Sequence, residues 1–212
     1  MKRIAICLLV ASLVASCAPE KEFLFNGEDL DGWTIFVDDP TITPEDFFYV
    51  KDDVIETAGI PFGYIRTVKE YSDYRLHVEW RYPEDPVNSG IFLHTTGPDK
   101  LWPDYFQGQL KHGDAGDFIV QGKGMSATIR DSVYTATDSV NPLIPKLHPS
   151  SENSAGEWNS YDITCLGNTI ELRVNGTLQN MATDCSLTSG SIGLQAEGSK
   201  IQFRNIWLEH LK

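Results

Sequence analysis

The sequence is short of positive charge: 17 Lys and Arg residues face 30 Asp and Glu, and the formal net charge is −13. An acidic chain repels nucleic-acid phosphates and anionic lipid headgroups, which argues against DNA or RNA as a partner. Charged residues make up only 22% and hydrophobic residues 41%, a composition too apolar for a disordered polyampholyte. The 212 residues therefore predict one packed domain, and a neutral ligand such as a sugar suits its charge.

Cysteine is scarce as well, with 4 residues in the chain. Cys165 and Cys185 have no CxxC spacing and no His neighbour, so zinc binding is not predicted. An exported chain permits a disulfide between them, but a pair of buried free thiols fits the sequence equally well.

The short motifs of several enzyme classes are missing too. The sequence contains no G-x-S-x-G, Walker loop or HExxH, and no E-x-D-x-E run of the kind that conventional jelly-roll endo-glycosidases carry. Residues 122–127 match G-x-G-x-x-A, but strand-like residues follow where a dinucleotide site needs a helix. Residues 112–117 carry acids without the spacing of a calcium loop, so we predict no cofactor, and calcium at these acids is the alternative, without a ligand motif to support it.

Residues 1–16 have the composition of an export signal: a positive start, an apolar stretch too short to span a membrane, and small residues before Cys17. Val14-Ala15-Ser16-Cys17 resembles a bacterial lipobox, which predicts that Cys17 is the lipidated first residue of the mature chain. The alternative is a plain signal peptide with a chance cysteine. Because Ala18 rather than Asp follows Cys17, the expected location is the cell envelope, anchored in the outer membrane. The predicted divisions are residues 1–16 as signal, 17–22 as lipidated cysteine and tether, and 23–212 as one domain.

The pattern of that domain is β-rich. Residues 74–81 alternate cleanly, with Leu76, Val78 and Trp80 on one face of a predicted strand. Further strands are predicted over residues 89–94, 105–111, 117–121, 126–130, 161–166, 169–174, 192–197 and 201–209. Asn175-Gly176 is the strongest turn signal in the chain. No segment after the export signal keeps a helical period for three turns, and the Pro-rich residues 138–158 read as one long loop. The prediction is an all-β sandwich of two antiparallel sheets.

Polar side chains share a face on three of these predicted strands. The groups are carboxylates, amides, an imidazole and a guanidinium, which can hydrogen-bond sugar hydroxyls. Trp102 and Tyr105, assigned here to a loop rich in Gly and Pro, offer a platform for stacking on a sugar ring. An ordinary solvated sheet face, and aromatic packing within a loop, are the alternatives. The side chains that share a face are His77, Glu79 and Arg81 on one strand, Gln107 and Gln109 on another, and Gln195 and Glu197 on a third.

Four ordered motifs resemble one family, the 3-keto-disaccharide hydrolases. They are Leu24-Phe25-Asn26-Gly27-Glu28-Asp29-Leu30-Asp31-Gly32-Trp33, then Asn88-Ser89-Gly90-Ile91, then Gly156-Glu157-Trp158-Asn159-Ser160-Tyr161, and finally Gly193-Leu194-Gln195-Ala196-Glu197-Gly198 with Phe203-Arg204-Asn205-Ile206. The resemblance spans roughly residues 23–211.

The resemblance implies a concanavalin-like jelly roll with the site on a concave sheet, and a hydrolase or lyase that cleaves glycosides oxidised at C3. It also implies a sugar 3-dehydrogenase in the same pathway as the source of the ketone. A C3 ketone acidifies the C2 proton, so a base can form an enolate, the C1 substituent can leave, and water can add to the enone. We assign the base to Glu79 or Glu197, and the acid or enolate stabiliser to His94 or His112. The residues expected to orient the sugar are Arg81, Gln107, Gln109, Gln195, Trp102 and Tyr105.

Position 107 departs from the family. Many members carry Glu-x-Gln on the strand aligned with Gln107-Gly108-Gln109, whereas the amide of Gln107 cannot act as a base. This departure keeps an alternative open, a non-catalytic surface module that binds glycans. Asn88 is expected to fix the start of a strand through backbone bonds, and Glu157 and Trp158 to brace the sandwich.

Overall fold

The computed structural model describes residues 20–212. The predicted export signal, residues 1–16, and the predicted lipidation site, Cys17, lie outside the described residues and stay predictions. In the described part of the chain, no helix has the length and apolar character needed to cross a membrane.

The chain folds into strands joined by loops, with one short helix, α1 (Pro44–Phe47). In chain order the strands are β1 (Lys21–Phe23), β2 (Trp33–Val37), β3 (Phe48–Lys51), β4 (Val54–Thr57), β5 (Gly63–Thr67), β6 (Tyr74–Arg81), β7 (Gly90–Thr96), β8 (Asp104–Gln109), β9 (Phe118–Gln121), β10 (Ser126–Ile129), β11 (Ser132–Thr135), β12 (Leu143–Ile144), β13 (Asn159–Leu166), β14 (Thr169–Val174), β15 (Thr177–Ala182), β16 (Ser191–Ala196) and β17 (Ile201–His210).

Two large antiparallel sheets contain nearly all of these strands. The first sheet has the order β15-β14-β13-β6-β17-β4-β3, with β1 paired to β17. The second sheet has the order β12-β9-β8-β7-β16-β5-β2, and β10 pairs with β11 in a separate two-stranded sheet. The prediction of an all-β sandwich of two antiparallel sheets is confirmed.

The core lies between the two sheets, and the period-2 pattern decides which side chains enter it. Leu76, Val78 and Trp80 of β6 are fully buried in it, as predicted, and Phe106 of β8 enters it from the second sheet. Burying one such side chain stabilises the fold by about 1.5–3 kcal/mol. Successive residues of a strand point to opposite faces. The sequence neighbours of Phe106 on β8, Tyr105 and Gln107, therefore lie on the outer face of the second sheet.

The Asn175-Gly176 turn is confirmed. It joins β14 to β15 through a two-residue loop in which Val174 faces Thr177. Both turn residues have positive φ, 47° for Asn175 and 79° for Gly176, as a type I′ turn requires. The Asn175 side chain also holds the neighbouring strand, because its Oδ1 accepts the Ser160 amide at 2.8 Å.

The sheet starts earlier than the predicted domain boundary. Lys21 and Glu22, assigned to the tether 17–22, already pair with Glu209 and Leu208 of β17. The physical reason is the length of β17, whose last residues would otherwise leave backbone groups unpaired along part of one edge.

The two described cysteines are free thiols. Cys165 and Cys185 are both buried, and burial raises the pKa of each thiol to about 12. They therefore stay protonated at neutral pH and pack as small apolar groups.

Candidate functional site

A cleft of about 260 Å³ opens on the outer face of the second sheet. It crosses five consecutive strands, β12, β9, β8, β7 and β16, of which all but β7 contribute lining side chains. The lining mixes amides and aromatic side chains with a single carboxylate. Its lining residues are Asn88, Trp102, Tyr105, Gln107, Gln109, Ile119, Gln121, Asn141, Leu143, Gln195 and Glu197.

Strand register explains why these side chains converge. Gln107 of β8 lies opposite Phe92 of β7 and opposite Ile119 of β9, so all three share one face. On the far side of β7, Gln195 of β16 lies opposite Tyr64 of β5. Antiparallel pairing places such partners about 4.5–5.5 Å apart at Cβ. Residues distant in the sequence therefore form one continuous surface.

The three glutamines contact one another directly. Gln107 Nε2 lies 3.2 Å from Gln109 Oε1 and 3.2 Å from Gln195 Oε1. Gln195 Nε2 donates in turn to Glu197 Oε2 at 2.6 Å. All three glutamines are buried, so these contacts hold the floor of the cleft in one arrangement.

Glu197 is the carboxylate of the cleft, and among the described lining residues it is the only one. It is half-buried, and burial raises its pKa above the ordinary glutamate value, while a hydrogen bond from Asn88 acts in the opposite direction. A carboxylate with a raised pKa is a stronger base when ionised. The position suits a group that removes a proton from a bound ligand.

Tyr105 supplies the cleft with a phenol. Its ring stacks on Phe92 with centroids 3.8 Å apart, and it belongs to an aromatic cluster with Tyr64 on the cleft side of the sheet. Burial, and then the charge of Glu197, raise the pKa of Tyr105 well above the ordinary tyrosine value. The phenol therefore keeps its proton at neutral pH and can donate a hydrogen bond. Tyr105 belongs to strand β8, in agreement with the strand predicted over residues 105–111, and its assignment with Trp102 to the preceding loop is wrong.

Trp102 forms one wall of the cleft and is carried by the segment 97–103 between β7 and β8. Asp99 ties this segment to β5: its Oδ1 accepts Arg66 Nε at 2.7 Å and the Tyr64 hydroxyl at 2.9 Å, and its Oδ2 accepts Arg66 Nη2 at 3.2 Å. A bidentate pair of this kind restricts orientation as well as distance. Asp99 thus holds the wall of the cleft against the sheet.

The Asp99 ties should make stability depend on pH. The hydrogen bonds from Arg66, and then from Tyr64, outweigh burial and lower the pKa of Asp99. A carboxyl whose pKa is lower in the folded state stabilises the fold at pH values above its unfolded-state pKa, about 3.9. That stabilisation is lost as the pH falls through the folded-state pKa. Asp99→Asn should therefore reduce the free energy of unfolding at pH 7 by about 1 kcal/mol, a small effect because solvent screens this partly exposed pair. The difference from wild type should shrink below pH ~4.

Urea unfolding at several pH values measures this difference. The matched control is Asp138→Asn, which removes an exposed ion pair with Lys123, and we expect no measurable change from it. Equal losses in the two variants, or a loss in Asp99→Asn that is independent of pH, would show that the Asp99 ties contribute nothing specific.

Two of the predicted site residues, Glu79 and Arg81, lie on the other sheet. Both are on β6, on the outer face of the first sheet, because Val78 and Trp80 occupy its inner face. Glu79 Oε2 accepts Arg204 Nε at 2.7 Å, and this bond and one from Asn205 outweigh burial and lower the pKa of Glu79. The expectation that Glu79 and Arg81 share a sugar-binding face with the glutamines is wrong, since β6 pairs with β13 and β17 and with no strand of the second sheet.

The other partners of Arg81 are also on the first sheet. Its Nε donates to Gln202 Oε1 at 2.7 Å, and its guanidinium lies over the ring of Trp158, 4.6 Å from the centroid. Trp158 is thus held on the outside of the first sheet, with Arg204 at 3.9 Å from the same ring, which fits its expected bracing role.

His94 points into the core. The pairing of β7 shifts between Leu93 and Thr96, and His94 has a φ of +54°, which turns its ring away from the cleft. The ring contacts Tyr74 edge-on with centroids 5.7 Å apart, and burial lowers the pKa of His94. A neutral imidazole sealed in the core cannot reach a ligand in the cleft, so the assignment of His94 as acid is wrong.

His112 lies in the turn that follows β8 and does not line the cleft. The His112 side chain is exposed to solvent, and its Nδ1 is 3.4 Å from Oε1 of the buried Glu152 side chain. Asp114 in the same turn is paired with the amines of Lys111 and Lys146. Within residues 20–212, no group of three or more His, Cys, Asp or Glu side chains is arranged to hold a metal ion.

The remaining predicted residues do meet. Gln107, Gln109, Gln195, Trp102, Tyr105 and Glu197 all line the cleft. Sequence reasoning missed the ligand-facing position of Asn88, which both forms a β-bridge with Glu197 and bonds its carboxyl. It also missed Gln121, and the Asn141 and Leu143 side chains. The last two belong to residues 138–158, which were predicted as one long loop and in which Leu143 forms part of β12. The length of this stretch was itself a signal of function.

A second, more polar depression of about 290 Å³ adjoins the cleft. The two share Trp102, Gln121 and Asn141, which therefore separate the cleft from the depression.

Comparison with known proteins gives a family match and a set of structural likenesses. A family profile described as a 3-keto-alpha-glucoside-1,2-lyase-like domain matches residues 20–209. No curated protein matches the sequence. A provisionally named glycosyl hydrolase from Parabacteroides distasonis superposes with a TM-score of 0.67 at 22% identity, over 91% of this chain and 94% of that one.

Two further structures are similar in fold. A beta-glucanase of Bacillus licheniformis gives a TM-score of 0.59 at 12% identity, covering 93% of this chain and 100% of that one. The carbohydrate binding module CBM66 of Bacillus subtilis gives 0.58 at 13%, covering 89% and 99%. At such identities the likeness establishes the fold, which is the concanavalin-like jelly roll expected from the sequence.

Proposed function

The chain belongs to the 3-keto-alpha-glucoside-1,2-lyase-like domain family, and from this premise we propose that it cleaves glycosides already oxidised to a ketone at C3. The observation that carries the proposal is a half-buried carboxylate with a raised pKa, Glu197, standing alone among amides and aromatic rings in the cleft. Such a site suits a reaction that begins with removal of one carbon-bound proton.

The steps follow from the chemistry of the ketone. Glu197 takes the C2 proton, and the electron pair of the C2–H bond enters the enolate formed with the C3 carbonyl. Collapse of the enolate breaks the bond between C1 and the leaving oxygen, which takes up a proton. Water then adds across the resulting enone at C1 and C2, and the free 3-keto sugar is released.

The cleft residues have distinct roles in this proposal. The Tyr105 phenol, protonated at neutral pH, is placed to donate a hydrogen bond to the enolate or a proton to the leaving oxygen. Trp102 offers a ring face to the sugar. Gln107, Gln109 and Gln195 contribute amide groups for hydroxyls. The adjoining depression gives room for the leaving group.

A conventional glycosidase mechanism fits the cleft less well. Retaining and inverting enzymes use two carboxyl groups, about 5–5.5 Å or 6.5–9.5 Å apart, flanking the scissile bond. Among the described residues of the cleft Glu197 has no second carboxylate beside it. Elimination from a 3-keto sugar needs one strong base instead, because the ketone activates the C2 proton.

Turnover of oxidised glycosides tests the proposal. We expect the purified protein to release the 3-keto sugar and the free leaving group from one or more members of a panel of 3-keto-glucosides with sugar and aryl leaving groups, as followed by mass spectrometry. The matching unoxidised glycosides should remain intact, since their C2 protons are not acidic. Absence of turnover across the whole panel, or equal cleavage of the unoxidised glycosides, would contradict this function.

The second candidate function is glycan binding without cleavage. The observation that favours it is the shortage of acid–base groups in the cleft, since neither predicted histidine reaches it and position 107 carries an amide. It predicts saturable binding of intact glycans, measured by calorimetry, with no product.

The sequence supports a further proposal about location. Residues 1–16 and Cys17 fit export and lipid anchoring at the envelope, which would keep the cleft where extracytoplasmic glycosides, and a dehydrogenase that oxidises them, are available. Labelling of cells with a radioactive or alkynyl fatty acid should mark the wild-type protein and not Cys17→Ser.

A further inference from the structure

The amide groups of the cleft have a fixed direction, and it is set by backbone. Gln109 Oε1 accepts the backbone amides of Leu110 at 3.0 Å and Lys111 at 3.1 Å. The Leu110 amide also donates to the carbonyl of Ser89. The backbone amides of Leu110 and Lys111 can only donate, so neither can exchange its role with Gln109. An exchange of Gln109 oxygen and nitrogen would place donor against donor, so its carbonyl must face this turn.

That orientation propagates along the floor of the cleft. Because Gln109 presents an oxygen, the neighbouring Gln107 must present its nitrogen, and Nε2 then also lies 3.2 Å from Gln195 Oε1. Gln195 is left with its nitrogen toward Glu197, where it donates at 2.6 Å to Oε2. We call Gln109, Gln107 and Gln195 the amide chain. Each of its members is at most 4% exposed, so water does not compete freely for these bonds.

Gly90 provides the space that the amide chain needs. The contact between Gln107 and Gln195 passes over β7 at this position, since β7 lies between β8 and β16 in the second sheet. A Cβ atom on Gly90 would lie 2.8 Å from Gln195 Oε1 and closer still to Gln107 Nε2. Any larger residue would therefore push the two amides apart.

From this geometry we propose that Gln107, Gln109 and Gln195 are positioning residues that form a hydrogen-bond chain of fixed orientation, which always delivers an amide N–H to Glu197 and excludes a carboxylate from its own three positions. The proposal rests on the function proposed above, in which Glu197 is the base. The chain fixes one oxygen of that carboxylate, Oε2, and so directs the other toward the ligand.

The surroundings of Glu197 contain few other charges. The charge of Glu197 acts on the phenols of Tyr82 and Tyr105, whose pKa values are raised first by burial, so both phenols are neutral at neutral pH. Asn88, which bonds the carboxyl, is uncharged, and the amine of Lys200 is turned to Glu84 and Glu56. Gln195 of the amide chain and Asn88 both bond this carboxylate, and neither is charged.

A carboxylate placed inside the chain should disturb Glu197 strongly. In Gln107→Glu, the new oxygens face the fixed carbonyl of Gln109, and Gln195 can satisfy them only by turning its own oxygen toward Glu197. One proton must then be held by the pair, so the two carboxyls titrate together and the upper apparent pKa rises by roughly one unit or more. In the matched control Gln121→Glu, the same charge enters the same cleft but lies outside the amide chain. We expect the pKa of Glu197 to shift there by only about a few tenths of a unit, since solvent screens the new charge.

Carbon-13 NMR titration of glutamate side chains in ligand-free protein measures these shifts. It does not depend on turnover, so it decides the proposal even where no 3-keto-glycoside is cleaved and the proposed function itself fails. Where turnover is found, the acidic limb of the rate against pH should move upward by roughly one unit or more in Gln107→Glu, and by only about a few tenths of a unit in Gln121→Glu. Equal shifts of Glu197 in the two variants would overturn the proposal.

The wild-type protein provides a second measurement if Gln107→Glu does not fold. The side-chain amide signals of Gln195 and Gln107 in nitrogen-15 spectra should move together as Glu197 titrates and exchange slowly with solvent, while the signal of Gln121 should do neither. The proposal would be overturned if the chemical shifts of the Gln195 and Gln107 side-chain amides did not change as Glu197 titrates, or if these amides exchanged with solvent as fast as that of Gln121.

Discussion

Replacing Glu197 with Gln should lower the rate of cleavage of a 3-keto-glycoside by roughly 100-fold or more, the range expected for loss of a general base. The substitution keeps the volume of the side chain and its acceptor oxygen for Gln195, but it removes the group that takes the C2 proton. In wild type, the rate should also fall as pH drops through the raised pKa of Glu197, because the base is active only when ionised.

The matched control for this experiment is Glu79→Gln. Glu79 lies on β6 and Glu197 directly follows β16, and both were assigned as candidate bases, but Glu79 is held by Arg204 on the opposite sheet. We expect its rate and KM to stay within about twofold of wild type, and its stability to fall by no more than about 1 kcal/mol. A large loss of rate in Glu79→Gln, or an unchanged rate in Glu197→Gln, would refute the assignment of the base to the cleft.

Truncation of Phe203 to Ala should reduce the free energy of unfolding by about 3–5 kcal/mol. Phe203 is fully buried on β17, with Trp80 of β6 and Ile55 of β4 as its cross-strand partners. Its loss removes apolar contact and leaves a cavity that the two rigid sheets cannot close. Native domains are stable by only about 5–15 kcal/mol, so this one change would remove a large share of the stability.

Phe23→Ala is the matched control, since the same ring is removed from a position that is 62% exposed. We expect a change within about 0.5 kcal/mol. Urea unfolding followed by tryptophan fluorescence gives both values, provided that the slopes against denaturant agree. Similar losses in the two variants would contradict the placement of the core; should Phe203→Ala fail to fold, Phe203→Leu should still show a loss larger than that of Phe23→Ala.

Local pattern was sufficient for much of the fold. The alternation over residues 74–81 fixed β6 at its observed bounds, and it also fixed which of its residues face the core. The Asn175-Gly176 pair predicted its hairpin because few residues tolerate positive φ at two consecutive positions. Period and turn chemistry are properties of adjacent residues, so the sequence alone can specify them.

The composition of the cleft was predicted in part for the same reason. Alternation showed that Gln107 and Gln109 share a face, and that Gln195 and Glu197 share another. It could not show that these two faces are one surface, because the strand between them, β7, contributes a glycine that leaves no pattern.

The choice between Glu79 and Glu197 required the tertiary structure. In the sequence each has the same local surroundings, an acidic residue on the polar side of a predicted alternating strand. Whether that polar side faces the cleft depends on which sheet the strand joins. The order of strands along the chain does not predict the sheet, because β16 and β17 follow one another directly and belong to different sheets. His94 shows the other limit, because a shift in pairing and one positive φ moved its ring from the cleft face to the core.

The sequence by itself determined that this protein is an acidic β-sandwich of its family with amides and carboxylates on the polar faces of its strands. Only the tertiary structure decided that one carboxylate, Glu197, stands at the end of three oriented glutamines in a cleft. The physical reason is the range of the interactions: side-chain alternation and turn conformation act between neighbours in the chain, whereas strand pairing and the direction of a hydrogen-bond chain depend on residues as far apart as Gln107 and Gln195.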